Sequence, residues 1–196
     1  YAINYQKIEV QIYAVEPSDW PAYKEYLREY ERTDEPPDPP GTKVLDQTMR
    51  LDVPEDTLTE VGIDLSEVME GHYGHYIVVA KPPRSLFEDK WQQYYQTQQV
   101  WVQVTQIGMD AFADHSEMIT WVTALKDGTP LNGITITADA PEVDAVTGED
   151  GVARFDLPAS GATYLVARQG DDKALLPRSS YFWGDDTWQK WTDYDE

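Results

Sequence analysis

From Gln99 to Pro177 the chain is written in short period-two runs separated by turn residues. "VWVQVTQIG", "DAFAD", "EMITWVTAL", "NGITITADA", "GVARFDLP", "ATYLVARQG" and "DKALLP" follow one another with no helical period between them. In "EMITWVTAL", Met118, Thr120 and Val122 fall on one side, and Ile119, Trp121 and Thr123 on the other. Successive strand side chains point to opposite faces, so this pattern suits a half-buried strand. About seven such strands at regular spacing predict an antiparallel sandwich.

The first half is less regular. "YQKIEVQIYAVEP" reads as a strand with Ile8, Val10, Ile12 and Ala14 on one face and Glu9, Gln11 and Tyr13 on the other. "SDWPAYKEYLREYER" then switches to helical spacing, with Trp20, Tyr23, Leu27 and Tyr30 on one stripe. Ser18 or Asp19 suits its cap and Pro21 its first turn. The prolines of "TDEPPDPPG" end it. "TKVLDQTMRLDVP" predicts a strand, "DTLTEVGIDLSEV" a strand and a short connection, and "GHYGHYIVVAKPP" a strand from Tyr73 to Ala80. "RSLFEDKWQQYYQTQ" is polar and aromatic and reads as a connector, extended or partly helical.

The expected class is therefore all-β, with two tandem antiparallel β-sandwich domains of immunoglobulin or fibronectin type. The first spans 1–84 and carries an inserted helix near 18–32. Residues 85–98 form a connector, 99–180 the second domain and 181–196 a connector onward. With 196 residues, two small domains or one large one fit the usual domain size. The chain does not begin with Met, which reads as a piece cut from a longer precursor.

Charge narrows the partners. The net charge is −21, from 36 acidic against 15 basic residues. A field of that sign repels phosphate backbones and anionic lipid surfaces, which argues against nucleic acid and membrane contact. With 13 Tyr and 7 Trp the chain is not a disordered acidic tail. It has no cysteine, so disulfides, thiolate nucleophiles and cysteine metal sites are excluded.

Two glycine corners flank one run. "KDGTPLNG" holds Gly128, Pro130 and the pair Asn132-Gly133; "TGEDGVARF" holds Gly148 and the pair Asp150-Gly151. Asp-Gly and Asn-Gly supply the positive φ of tight turns, and Gly133 and Gly151 are expected to adopt it. A calcium loop of Asp144, Glu149 and Asp150 is the alternative, but the spacing departs from the fixed alternation of an EF-hand.

The two corners together carry more information than either. A Gly-x-Pro-x-x-Gly-x-x-Ile corner, then Thr-Gly-x-Asp-Gly-x-Ala-x-Phe, then "YLVARQGDDKALL", resembles the bacterial alpha-2-macroglobulin family. "WVQVTQIGMDAFADHSEMITWVTALKDGTPLNGITIT" is similar to one of its macroglobulin domains, and "IEVQIYAVEPSDW" with "GHYIVVAKP" to the preceding one. The resemblance implies macroglobulin domains acting as structural scaffold of a protease-trapping inhibitor, in the periplasm or at the cell surface, with a lipid anchor possible in the full-length protein. It implies neighbouring domains of the same polypeptide as partners, and target proteases reached through the whole protein. The family's thioester motif, Cys-Gly-Glu-Gln, is absent, and no stretch reads as a bait region. The competing expectation is an immunoglobulin-like adhesin or carbohydrate-binding accessory module.

No catalytic, cofactor or metal site is expected, and no enzyme activity. His72 and His75 in "GHYGHY" sit three apart in a Gly-broken stretch that runs into a strand, where residues three apart point to opposite faces, with His115 far off in sequence. Asp171-Asp172 and Asp185-Asp186 are adjacent acids in an acidic chain, which solvated turns explain. There is no Gly-x-Ser-x-Gly elbow or phosphate loop. The aromatic stretches Trp91–Tyr95 and Trp183–Tyr194 read as connectors packing against domains, with carbohydrate stacking as the alternative.

Overall fold

A computed structural model describes residues 1–33, 37–69, 72–83, 90–140, 143–183 and 186–188. Contacts divide the chain into two compact units: residues 1–16 with 39–102, and residues 17–38 with 103–196.

The first unit is built on one four-stranded sheet. Its strands are β1 (Lys7–Val15), β2 (Thr42–Arg50), β3 (Gly74–Lys81) and β4 (Gln98–Val104), in the order β2-β1-β3-β4. β1 runs antiparallel to both neighbours, with Ile12 opposite Leu45 on one side and Val78 on the other. β1 alternates as expected at its start, but Tyr13 is buried, so its second face is covered from there on. β3 is continuously buried from His75 to Val79, the pattern of a strand covered on both faces. β2, at the edge, is almost wholly exposed and carries Lys43, Asp46 and Arg50. Charges of this kind discourage edge-to-edge pairing.

Two expectations differ here. β4, expected to open the second domain, is the fourth strand of the first sheet. Its regular alternation gave no sign of which sheet it would join. The strand expected in "DTLTEVGIDLSEV" is reduced to one bridge, Ala2 with Thr59, before the short helix α2 (Ser66–Met69). Ala2 packs there with Leu51 and Val53 in a small core of its own. The connector is helical over α3 (Lys90–Gln96), while residues 84–89 lie outside the described residues.

The second unit is a two-sheet antiparallel sandwich. One sheet has the order β5-β6-β9, from β5 (Ile107–Ala113), β6 (Glu117–Ala124) and β9 (Val152–Asp156). The other has the order β11-β10-β7-β8, from β7 (Thr135–Ala138), β8 (Asp144–Val146), β10 (Tyr164–Gln169) and β11 (Asp172–Pro177). Met118, Thr120 and Val122 are fully buried, the face the alternation assigned. The core runs in two clusters, Val122, Ile134, Ile136 and Ala167 in one and Met118, Leu157, Leu165 and Trp188 in the other. "VWVQVTQIG", expected as one strand, breaks at Thr105–Gln106, and β5 absorbs "DAFAD". Buried Asp172 causes the break: it accepts the Thr105 hydroxyl (2.5 Å) and the Gln106 amide (3.0 Å), turning the chain out of a ladder.

The helix α1 (Trp20–Arg32) interrupts the first unit in sequence but belongs by its contacts to the second. A 3₁₀ turn at Pro17–Asp19 leads into it; Asp19 holds the cap position without a side-chain cap bond. Trp20, Tyr23 and Tyr30 are buried as the spacing predicts, and Tyr26 and Lys24 widen the stripe, leaving Leu27 half-buried. The aromatic rings follow one another along the helix at 5.7, 6.3 and 5.7 Å.

Candidate functional site

The two glycine corners meet in the second unit, and Thr147 joins them. Its hydroxyl donates to the Leu131 carbonyl (2.6 Å) and accepts the Ile134 amide (2.9 Å). Those two groups would otherwise bond across the Asn132-Gly133 turn, so the hydroxyl is inserted into the turn. The Thr147 backbone completes the stitch: its carbonyl accepts the Gly133 amide (2.9 Å), and its amide donates to the Ile134 carbonyl (3.0 Å). Thr147 is buried, and a buried hydroxyl with both bonds made is held in one place. The sequence reading counted this threonine in the second corner's motif but gave a structural role only to the glycines.

Gly133 and Gly151 have φ of +76° and +74°, as expected. They differ in surroundings. A Cβ on Gly133 would meet nothing within 4 Å, whereas one on Gly151 would lie 2.5 Å from the Val122 carbonyl oxygen and 3.0 Å from Pro130. Gly151 is thus required twice, for its φ and for the backbone passing over it.

The calcium residues do not converge. Asp150 accepts the Val152 amide (3.1 Å) and so closes its own loop, while Asp144 is exposed on β8. The histidines are equally dispersed. His72 and His115 are exposed, and buried His75 accepts the Trp101 indole N–H at Nδ1 (3.1 Å). Among the described residues no group of three or more His, Asp or Glu side chains is placed to hold a metal. Of the acid pairs, Asp171 is exposed and Asp172 is the buried clasp on Thr105 and Gln106; Asp186 is exposed and Asp185 lies outside the described residues.

Exposed carboxylates at the turns are shifted by local bonds. Hydrogen bonds from Thr129 hold Asp127 below the usual carboxylate range, and those from the Ser116 and Glu117 amides do the same for Asp114. In the first unit, bonds from Ser66 lower Asp64. These are the Asx-turn bonds that shape loops.

The aromatic tail packs on its own unit. The Arg28 guanidinium donates to the Phe182 carbonyl (2.7 Å), and the Trp183 indole N–H donates to Glu31 (3.3 Å). The Arg32 guanidinium lies 4.7 Å from the Trp183 ring centre, occupying a ring face a sugar would need. Trp188 is buried and bridges Ala162. The residues beyond 188, and the side chains of Trp91 and Gln92, lie outside the described residues.

The largest exposed aromatics of the second unit's sandwich lie elsewhere. Phe112 on β5 is 58% exposed and Trp121 on β6 is 49% exposed, on the outer face of the three-stranded sheet. Phe112 stands opposite Ile119, and Trp121 between Asp110 and Val152. Asp110, Glu117 and Asp156 surround this strip, with Arg154 paired to Glu117 (3.2 Å). Such a strip suits contact with another surface. Half-open cavities occur in each unit. The first unit's, about 320 Å³, is lined by Tyr1, Ile8, Leu51, Val61 and Ile63, with no charged side chain at its wall among the described residues.

No protein-family model matches the chain, and no curated protein sequence matches it. Solved structures do. The chain is 16% identical to native alpha-2-macroglobulin from Escherichia coli spanning domains NIE-MG1, over 90% of this chain and 86% of that one, at a TM-score of 0.65. Against the Escherichia coli structure spanning MG0-NIE-MG1 it is 17% identical, covering 91% of this chain, at a TM-score of 0.62; it spans 57% of that longer chain. Against Salmonella alpha-2-macroglobulin reacted with methylamine the TM-score is 0.58 at 17% identity, over 90% of this chain and 10% of that one. At these identities the likeness is one of fold: this chain has the fold of bacterial macroglobulin domains. Among the described residues no helix is long and apolar enough to cross a membrane.

Proposed function

We propose that this chain is a scaffold segment of a bacterial alpha-2-macroglobulin-like protease trap, working through contacts with neighbouring domains and carrying no catalysis of its own. The observation that carries the reading is coverage: 90% of this chain matches 86% of an alpha-2-macroglobulin structure spanning two named domains. The two units are read as counterparts of the two domains of that segment. A periplasmic or cell-surface location accompanies the reading.

The residues favour scaffold over chemistry. Of the acids and histidines weighed as ligands, Asp150, Asp172 and His75 are engaged in turns and strands, while His72, His115, Asp144, Asp171 and Asp186 are exposed, and the glycine corners are tied to each other. In a trap of this kind a protease cleaves a bait, the scaffold rearranges and a thioester elsewhere couples to the attacker. The rearrangement needs domains that keep their shape while their contacts change, which a stitched sandwich supplies.

The test compares this chain with its full-length parent, using one protease against a protein substrate and a short chromogenic peptide. The parent should slow cleavage of the protein far more than of the peptide, because a trap blocks access without filling the active site. The isolated chain should inhibit neither. Inhibition by the chain alone would overturn the scaffold reading.

A second reading, a carbohydrate-binding accessory module or adhesin, draws on exposed Phe112 and Trp121. Tryptophan fluorescence of the chain that shifts on titration with oligosaccharides, and no longer shifts in Trp121→Ser, would favour it.

A further inference from the structure

We propose that Asn132 is a deamidation site held off in the folded chain by the hydrogen bond from the Gly133 amide to the Thr147 carbonyl, and that the reaction begins when this corner opens. The chain has two asparagines, Asn4 and Asn132, and only Asn132 precedes a glycine. Asn-Gly is the sequence most prone to this reaction, because the next residue's side chain does not block the approach.

The chemistry needs only water. The Gly133 nitrogen loses its proton to solvent base and attacks Asn132 Cγ. The N–Cγ bond forms, the Cγ–Nδ2 bond breaks and Nδ2 leaves as ammonia with a proton from water. A five-membered succinimide remains. One water then opens either carbonyl, giving aspartate or isoaspartate.

Sterically the site is open. Asn132 is exposed, and a Cβ at Gly133 would have nothing within 4 Å. What restrains the reaction is the nucleophile's own bond. The Gly133 N–H is donated to Thr147 (2.9 Å), so the nitrogen can neither lose its proton nor turn toward Cγ without breaking the stitch. The Thr147 hydroxyl holds the flanking Leu131 and Ile134 groups in place. Reaction would have lasting structural effect. Isoaspartate adds a methylene to the main chain at position 132, between its Cα and the Gly133 nitrogen, one residue ahead of Ile134, which is fully buried and bonded to Thr147.

The experiment incubates the chain at mildly alkaline pH in native buffer and in urea, and follows Asn132 by peptide mapping with isoaspartyl labelling. Conversion in native buffer should be slower by about tenfold or more, the factor set by how rarely the corner opens. Equal rates in the two conditions would overturn the proposal. In Thr147→Val, which removes the hydroxyl and keeps the shape, native conversion should rise about threefold or more as the corner loosens. A folded Thr147→Val chain with an unchanged rate would overturn it too. Hydrogen exchange of the Gly133 amide in the unaltered chain decides the matter if that variant does not fold. Protection matching the slowed conversion supports the proposal; exchange at the free-chain rate sinks it.

Discussion

An inner strand of the first unit, β3, and the central strand of the second unit's three-stranded sheet, β6, solve burial differently. β6 buries Met118, Thr120 and Val122 and presents Trp121 outward, one face in and one out. β3 is buried without a break from His75 to Val79. Alternation in sequence therefore reports how many faces of a strand are covered, and does not report how many sheets a unit has. The sandwich was legible because each of its sheets has one dry face. The first unit shows a single sheet among its described residues, its inner strand β3 reading as a plain apolar run.

The comparison is open to breaking. Ile77 and Leu165 are both fully buried, one in each unit. Truncating either to Ala should cost about 3–5 kcal/mol, the upper part of the range for such cavities. Hydrogen exchange resolved by segment should then loosen 1–16 and 39–102 in Ile77→Ala, and 103–177 in Leu165→Ala. If each variant loosened both units alike, they would be one cooperative body and the contrast would lose its energetic meaning.

A smaller effect is expected at the corners. Gly151→Val combines a positive φ, about 1–2 kcal/mol, with crowding against backbone, about 1–3 kcal/mol, for a loss of about 2–5 kcal/mol confined to the second unit. Gly133→Ala meets open space and should lose only the φ contribution, about 1–2 kcal/mol. Denaturant midpoints for the two variants measure the difference. Equal losses would mean that crowding at Gly151 is relieved by movement of Pro130 or Val122.

Gln103→Leu probes the sandwich edge. The Gln103 side chain accepts the Leu175 amide (2.8 Å) and donates to the Leu175 carbonyl (3.0 Å), imitating a neighbouring strand along β11. Removing it should cost about 1–2 kcal/mol. Faster exchange of the Leu175 amide, with the first unit unchanged, is the expected signature.

The smallest effect is of pH. Asp64 in the first unit and Asp114 and Asp127 in the second are all lowered by hydrogen bonds made in the folded state. A lowered acid stabilises the fold above its unfolded value, about 3.9, and that contribution is lost as pH falls through the folded value. NMR titration of the side-chain carboxyl carbons should place all three below about 3.9. A value at or above it for any of them would mean that its turn is open in solution.

Strand positions in the sandwich, the helix of α1 and the two positive-φ glycines follow from local chemistry: period-two burial, a Pro-led amphipathic stripe, and φ that only glycine adopts freely. Other features depend on partners far apart in sequence. Nothing near β4 says that it pairs in the first sheet, and nothing near α1 says that an insertion in the first unit would join the second. Thr147, Gln103 and Asp172 look like ordinary polar residues until the chain brings Leu131, Leu175 and Thr105 beside them. Local preference decides which element a segment forms, whereas a hydrogen bond between residues 16, 72 or 67 positions apart exists only once the whole chain has closed around it.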